Sequence, residues 1–257
     1  MNYKITILVD NYLSPPLEIE HGFSALIEYK NKRILFDTGQ NNALFTNAKI
    51  LNIDLNNIDF LILSHGHYDH GGNIAKIINL NPDIQIIVHQ NACIPRYSIH
   101  PDKPVKNIGL SKQNKIALIE HPNIIWCSKP LELLPCLWVS GEILRKTDFE
   151  DCGGPFYLDT NKQNPDFIED DMSICIIDNN QLNIICGCCH SGIVNTIDWF
   201  KKLTGLDDIN SVQGGLHLLH SDTNRLNKTF DYLSKNVKTI HACHCTGTEA
   251  INSINQL

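Results

Sequence analysis

The chain has 257 residues, 42% apolar and 19% charged, which reads as an ordinary globular protein long enough to bury a sizeable core. A formal net charge of −7 leaves no basic footprint for nucleic acid or an anionic membrane, and no apolar run is long enough for a signal peptide or a membrane span. A cytoplasmic chain is expected, with no nucleic-acid or membrane partner, so the ten cysteines read as thiols or metal ligands before disulfides.

Residues 4–9 and 23–29 are runs of branched and aromatic residues that predict strands, and a Lys30-Asn31-Lys32 turn leads into a third at 33–36. Asp37-Thr38-Gly39 ends that strand. Leu44, Phe45, Ala48 and Leu51 recur at helical spacing. Residues 60–63 form a short apolar run with the look of a strand buried on both faces. A helix is predicted from Gly72 with Ile74, Ile77 and Ile78 inward, then a strand over 84–88. The stretch from about 90 to 170 is less regular, with strand candidates at 124–126 and 137–139 and a loop over 146–170. Residues 173–177 and 182–185, flanking Asp178-Asn179-Asn180, predict a hairpin. Helices around 193–203 and 223–233 and strands near 211–212 and 239–242 complete one domain over 1–257. Strands in groups with helices between them point to helix-covered sheets.

The chemistry concentrates in His65-Gly66-His67-Tyr68-Asp69-His70, after the apolar strand and before a helix. His65 and His67 are two apart, so in an extended segment they face one side and can share a metal. Gly66 allows a tight turn between them. Asp69 and His70, at the turn into the helix, can reach a second metal. Imidazole and carboxylate suit zinc, and also accept iron or manganese. One histidine in such a loop would be a surface residue by default; four ligand-type residues in six positions argue against that reading.

This segment resembles the H-x-H-x-D-H signature of the metallo-β-lactamase superfamily, and Phe36-Asp37-Thr38-Gly39 resembles its preceding strand-end aspartate motif. The resemblance implies a four-layer αββα sandwich with two divalent metal ions at one edge, between two sheets. Three later blocks, around Gly187–Asn195, Gly214–Leu218 and His244–Gly247, resemble a subgroup that contains a dihydropterin aminobenzene ribofuranosyl-phosphate synthase and many metal-dependent hydrolases.

The resemblance implies metal ligation by His65, His67, Asp69 and His70. Superfamily members commonly add a histidine from an earlier block, which this chain lacks near 168–173, so His190 is assigned as the missing imidazole, with His89, His100 and His121 as competitors. His244 is the expected further ligand of the second metal. Cys188 stands where many members carry a bridging aspartate; it reads equally as a metal ligand or a small buried residue. His217 is read as a proton donor or anion-binding group beside the metals, in preference to a ligand. Asp37 is expected to orient a histidine, with a turn or cap carboxylate as the alternative. The clustered cysteines lack C-x-x-C pairs, and alternation along a strand would point Cys243 and Cys245 one way and His244 the other. They therefore read as buried small hydrophobes. Lys103, Lys106, Lys112 and Lys115 read as scattered surface lysines before a substrate entrance.

The expected function is hydrolysis of an ester, lactone or phosphoester of an anionic small molecule. Asp69 would orient the attacking water, and His217 would help the leaving group depart. A pyrophosphate-releasing transferase like the synthase is the alternative, and a non-enzymatic metal-binding or redox-sensing protein the second alternative.

Overall fold

Short strands of branched and aromatic residues, each stopped by a polar turn, build two six-stranded sheets. A computed structural model describes residues 3–257. The chain divides into two units: the first runs to Cys127 and includes Pro155–Asp166, and the second comprises Ser128–Gly154 and Phe167–Leu257.

In the first unit β1 (Tyr3–Val9), β2 (Ser24–Tyr29) and β3 (Lys32–Phe36) are antiparallel. Lys30 and Asn31 join β2 to β3 with φ of 46° and 64°, the left-handed pair that matches hairpin twist. Helix α1 (Ala43–Ile50) crosses to β4 (Phe60–Ile62), parallel to β3, and α2 (Ile74–Leu80) crosses to β5 (Gln85–Val88), parallel to β4. Two short strands, β6 (Tyr97–Ser98) and β7 (Lys106–Asn107), precede α3 (Lys112–Glu120), which returns to β8 (Ile124–Trp126), parallel to β5. Strands β6 and β7 make a small sheet with β11 (Phe156–Tyr157). Leu26, Leu35, Leu61 and Ile86 join the core under the helices, while Ile27, Ile34, Phe36, Ile62 and Ile87 are buried on the opposite face. Each such side chain contributes about 1.5–3 kcal/mol by leaving water.

The second unit repeats the plan in reverse. β9 (Leu131–Leu134), β10 (Leu137–Val139), β12 (Ser173–Asp178) and β13 (Gln181–Cys186) are antiparallel. Helix α4 (Ile193–Thr204) then crosses to β14 (Ile209–Gly215) and α5 (Thr223–Asn236) to β15 (Val237–Cys243), both in parallel, and α6 (Thr248–Ile254) follows. Leu182, Ile184, Cys186, Val212, Ile197, Phe200 and Leu233 form its core.

Distant carboxylates finish two helix starts. The Glu150 carboxylate accepts from the Val194 and Asn195 N–H groups, each at 2.9 Å, at the first turn of α4, whose N-cap is Gly192. Glu20 accepts from Gln40 N at 2.9 Å, Asn41 N at 2.8 Å and Ala43 N at 3.3 Å at the start of α1.

The expected elements correspond to structure with modest shifts at their ends. The irregular middle proves richer than predicted. Helix α3, capped by Ser111 accepting from Asn114 N, escaped detection because Ile116 and Ile119 are exposed and only Asn114 and Leu118 are buried along it. Helix α6 and β9 were likewise missed. One correction bears on the site: β15 ends at Cys243, and His244–Thr246 is a 3₁₀ turn with His244 at φ 50°, so strand alternation does not govern Cys245.

Candidate metal centre

Parallel strands aim their carboxyl-terminal loops to one edge, the usual place for a site in an open α/β sheet. In the first unit Asp37 follows β3, the Ser64–His70 segment follows β4 and His89 follows β5. Asp37 is fully buried at φ 61°, a strained conformation for a residue with a side chain. Its Oδ1 accepts from Ser64 N at 2.7 Å; its Oδ2 accepts from Ser64 Oγ and His70 Nδ1, both at 2.7 Å. Ser64, having given its proton to Asp37, accepts from His65 Nδ1 at 2.9 Å. One carboxylate thereby sets two tautomers: the protons of His65 and His70 lie on Nδ1, and each Nε2 keeps its lone pair.

His65 Nε2 faces His67 Nδ1 at 2.9 Å, and the His65 and His70 ring centroids are 4.3 Å apart. Two nitrogens in a tetrahedral zinc shell stand ~3.3 Å apart, so this pair fits a shared ion with a shift of a few tenths of an ångström. Asp69 Oδ2 lies 3.8 Å from His70 Nε2 and 3.2 Å from His21 Nε2. Gly66 is required for close approach rather than for an unusual turn: a methyl group there would overlap the Ala92 carbonyl.

In the second unit the register pairs Cys186 with Gly214 and Gly215 with Cys243, so the loops after β13, β14 and β15 emerge side by side. They carry Cys188 and His190, then His217, then His244 and Cys245. Cys188 Sγ lies 3.0 Å from Cys245 Sγ and 3.1 Å from His217 Nδ1. The His190 and His217 ring centroids are 4.2 Å apart. Backbone carbonyls of one loop orient both rings: His190 Nδ1 donates to Cys152 O at 2.8 Å, and His217 Nε2 donates to Gly153 O at 3.2 Å. That loop is tied to α5 by Arg225, whose Nη1 lies 2.5 Å from Asp151 Oδ1.

Electrostatics separate these thiols. Burial pushes Cys175 up to about 12, and a hydrogen bond with Cys186 together with burial raises Cys189 well above the usual thiol range. Burial also raises Cys245, but hydrogen bonds with Cys188 and His217 and the charge of His244 outweigh it and favour its thiolate. For His217, burial opposes charging, but the Cys245 contact and the Gly153 carbonyl carry it above the ordinary imidazole value. Beside this cluster Asp171 is fully buried, pushed up to about 6 by burial, and accepts from Ser191 N at 2.8 Å.

Within the first unit the structure brings Asp37, His65, His67, Asp69 and His70 together; within the second it gathers Cys188, His190, His217 and Cys245. His244 is buried, next to Cys245. The competing histidines have other work. His89 Nδ1 accepts from Asn91 N at the start of a 3₁₀ turn, His121 Nε2 donates to Ile84 O at 2.6 Å, and His100 is exposed. Lys106 is more specific than expected, reaching Tyr68 Oη at 2.5 Å. Sequence reasoning missed His21, Ser64 and Cys245. Ser64 was findable as the residue between strand and motif; His21 and the Cys152 and Gly153 carbonyls carry no local signal.

Comparison with known proteins agrees with this geometry. The metallo-β-lactamase superfamily pattern matches residues 18–137. The 7,8-dihydropterin-6-methyl-4-(β-D-ribofuranosyl)-aminobenzene-5′-phosphate synthase of Methanocaldococcus jannaschii is 34% identical over 98% of this chain and 90% of its own length. An uncharacterized protein of the same organism is also 34% identical, over 98% of this chain and 94% of its own. The crystal structure of Tm1679, described as a metal-dependent hydrolase of the β-lactamase superfamily, superposes with a TM-score of 0.83 at 25% identity, covering 98% of this chain and 91% of that one. The metallo-β-lactamase-fold protein YhfI of Bacillus subtilis, at 11% identity and a TM-score of 0.56 over 99% of this chain and 92% of that one, shares the fold. With two relatives of this similarity spanning nearly its whole length, and with the superfamily's histidine motif standing at a strand end, the chain belongs to the metallo-β-lactamase superfamily.

Proposed function

We propose that the protein is a metal-dependent hydrolase of an anionic small molecule bearing an ester, lactone or phosphoester. Two divalent ions, zinc in preference to iron or manganese, would be held by His65, His67, Asp69 and His70, with His190 and His244 as further ligands. The observation that carries this reading is the Asp37 network, which leaves His65 and His70 as neutral imidazoles with Nε2 lone pairs, the form a metal requires. His190 is prepared in the same way by the Cys152 carbonyl. When bound, such ions supply Lewis acidity and lower the pKa of water towards ~7. Asp69 would orient the attacking water through its carboxylate. His217 would offer its Nε2 proton to a leaving group or anion in exchange for the Gly153 carbonyl. Lys106, beside Tyr68, adds a positive charge close to the motif.

Elemental analysis and turnover of a phosphoester and lactone panel test this reading, on wild type, Asp69→Ala and His190→Ala purified without added metal. Loss of metal and turnover in both variants is expected. Wild-type metal content in both would remove the ligand assignment. A synthase-type reaction is the second reading, favoured by the 34% identity to the pterin synthase across 98% of this chain. Pyrophosphate release from a pterin pyrophosphate that depends on an aminobenzene acceptor would select it over hydrolysis.

A further inference from the structure

We propose that Cys188, Cys245 and His217 form a separate thiolate-rich metal site, taking a soft or borderline divalent ion such as zinc or cadmium. All three residues belong to the second unit, so the inference stands apart from the ligand set assigned above. Their ligand atoms lie within 4.8 Å of one another, and they come from three different loops. Two sulfurs and one imidazole nitrogen are a donor set for zinc and its softer relatives, and a poor one for magnesium or calcium.

The orientation of His217 distinguishes this trio from buried thiols that merely fill space. Its Nε2–H donates to the Gly153 carbonyl, so its Nδ1 presents a lone pair to the sulfurs. Metal-bound histidines are held in that way, the far nitrogen donating to a carbonyl or carboxylate. The backbone is committed to the arrangement as well. His217 sits at φ 50°, and Gly153, at φ 85°, lies so near that a methyl group would overlap the His217 ring. Such conformations cost roughly 1–3 kcal/mol each and persist where the surroundings impose them. Cys175 and Cys189, by contrast, lie within the apolar core of the unit.

The sulfurs are 3.0 Å apart. A tetrahedral ion with Zn–S of about 2.3 Å holds two sulfurs ~3.8 Å apart, so loading opens the pair by less than an ångström.

The test is a cobalt(II) titration of the full chain, stripped with chelator under reducing conditions. Thiolate-to-cobalt charge transfer in the near ultraviolet is the readout, and circular dichroism checks the fold of each variant. Wild type and Cys136→Ser, which removes an exposed cysteine, should show the band. Cys188→Ser and Cys245→Ser should each lose it. The double variant His65→Ala/His67→Ala should keep it while losing the metal assigned to the histidine motif, which separates failure of one site from failure of the other. Three results would overturn the proposal: no band in fully reduced wild type, a band that survives Cys245→Ser, or a Cys188–Cys245 disulfide in the reduced preparation.

Discussion

The two units solve one problem by different means. Each has a mixed six-stranded sheet, parallel towards one end, with its chemistry beyond the carboxyl ends of the parallel strands. The first unit takes its imidazoles from a single segment after β4 and orients two of them through one buried carboxylate, Asp37. The second collects single residues from three loops and orients His190 and His217 through two consecutive backbone carbonyls. Support by one side chain is open to deletion; support by backbone can only be displaced.

The largest effect should therefore come from Asp37→Ala. It strips acceptors from Ser64 N, Ser64 Oγ and His70 Nδ1 at a fully buried position, a loss on the order of 3–5 kcal/mol. Metal affinity should fall a further ~10–100-fold as the rings lose their tautomers. Denaturant unfolding and metal content measure both. A variant within 1 kcal/mol of wild type, by the ~1.36 kcal/mol per tenfold scale, would show that the carboxylate does not govern the segment.

The same contrast explains what the sequence could disclose. His65, His67, Asp69 and His70 are adjacent in the chain, so spacing alone marked them. Strands such as Phe60–Ile62 and the Asp178-Asn179-Asn180 hairpin were legible because hydrophobic period and turn chemistry are local. Cys188, His217 and Cys245 meet only because β13, β14 and β15 run parallel in register, a long-range fact without a local signature. The left-handed conformations of Asp37, His217 and His244 were equally hidden, since nothing in those residue types demands positive φ. Helix α3 stayed out of view because its exposed Ile116 and Ile119 blur the amphipathic pattern.

A narrower perturbation should follow from Gly153→Ala. The added methyl collides with His217 and forces a side chain onto φ 85°, so the ring must leave its carbonyl and the thiols. The expected result is loss of the cobalt–thiolate band and a stability cost of about 1–2 kcal/mol, with metal bound by the histidine motif unchanged. An unaltered band would mean that His217 is not held by this loop.

The smallest expected effect concerns the remote caps, where the units use the same device. Deleting either carboxylate, by Glu20→Ala or Glu150→Ala, should cost about 1 kcal/mol, or ~2–4 °C in Tm for a chain of this size. Glu150 differs in its response to pH. Burial pushes its carboxyl up despite the N–H donors of Val194 and Asn195, so folding favours its protonated form. A group with a raised folded pKa adds stability that is complete below its unfolded value, about 4.3, and that disappears as pH rises through the folded value. Glu150→Ala should accordingly cost more near pH 4 than near pH 8, and Glu150→Gln should flatten the wild-type decline. Thermal unfolding in chelator, which removes metal-linked titrations, reads this directly. A cost that grows with pH would mean that the α4 terminus stabilises the charged carboxylate more than burial penalises it, and would reverse the assignment.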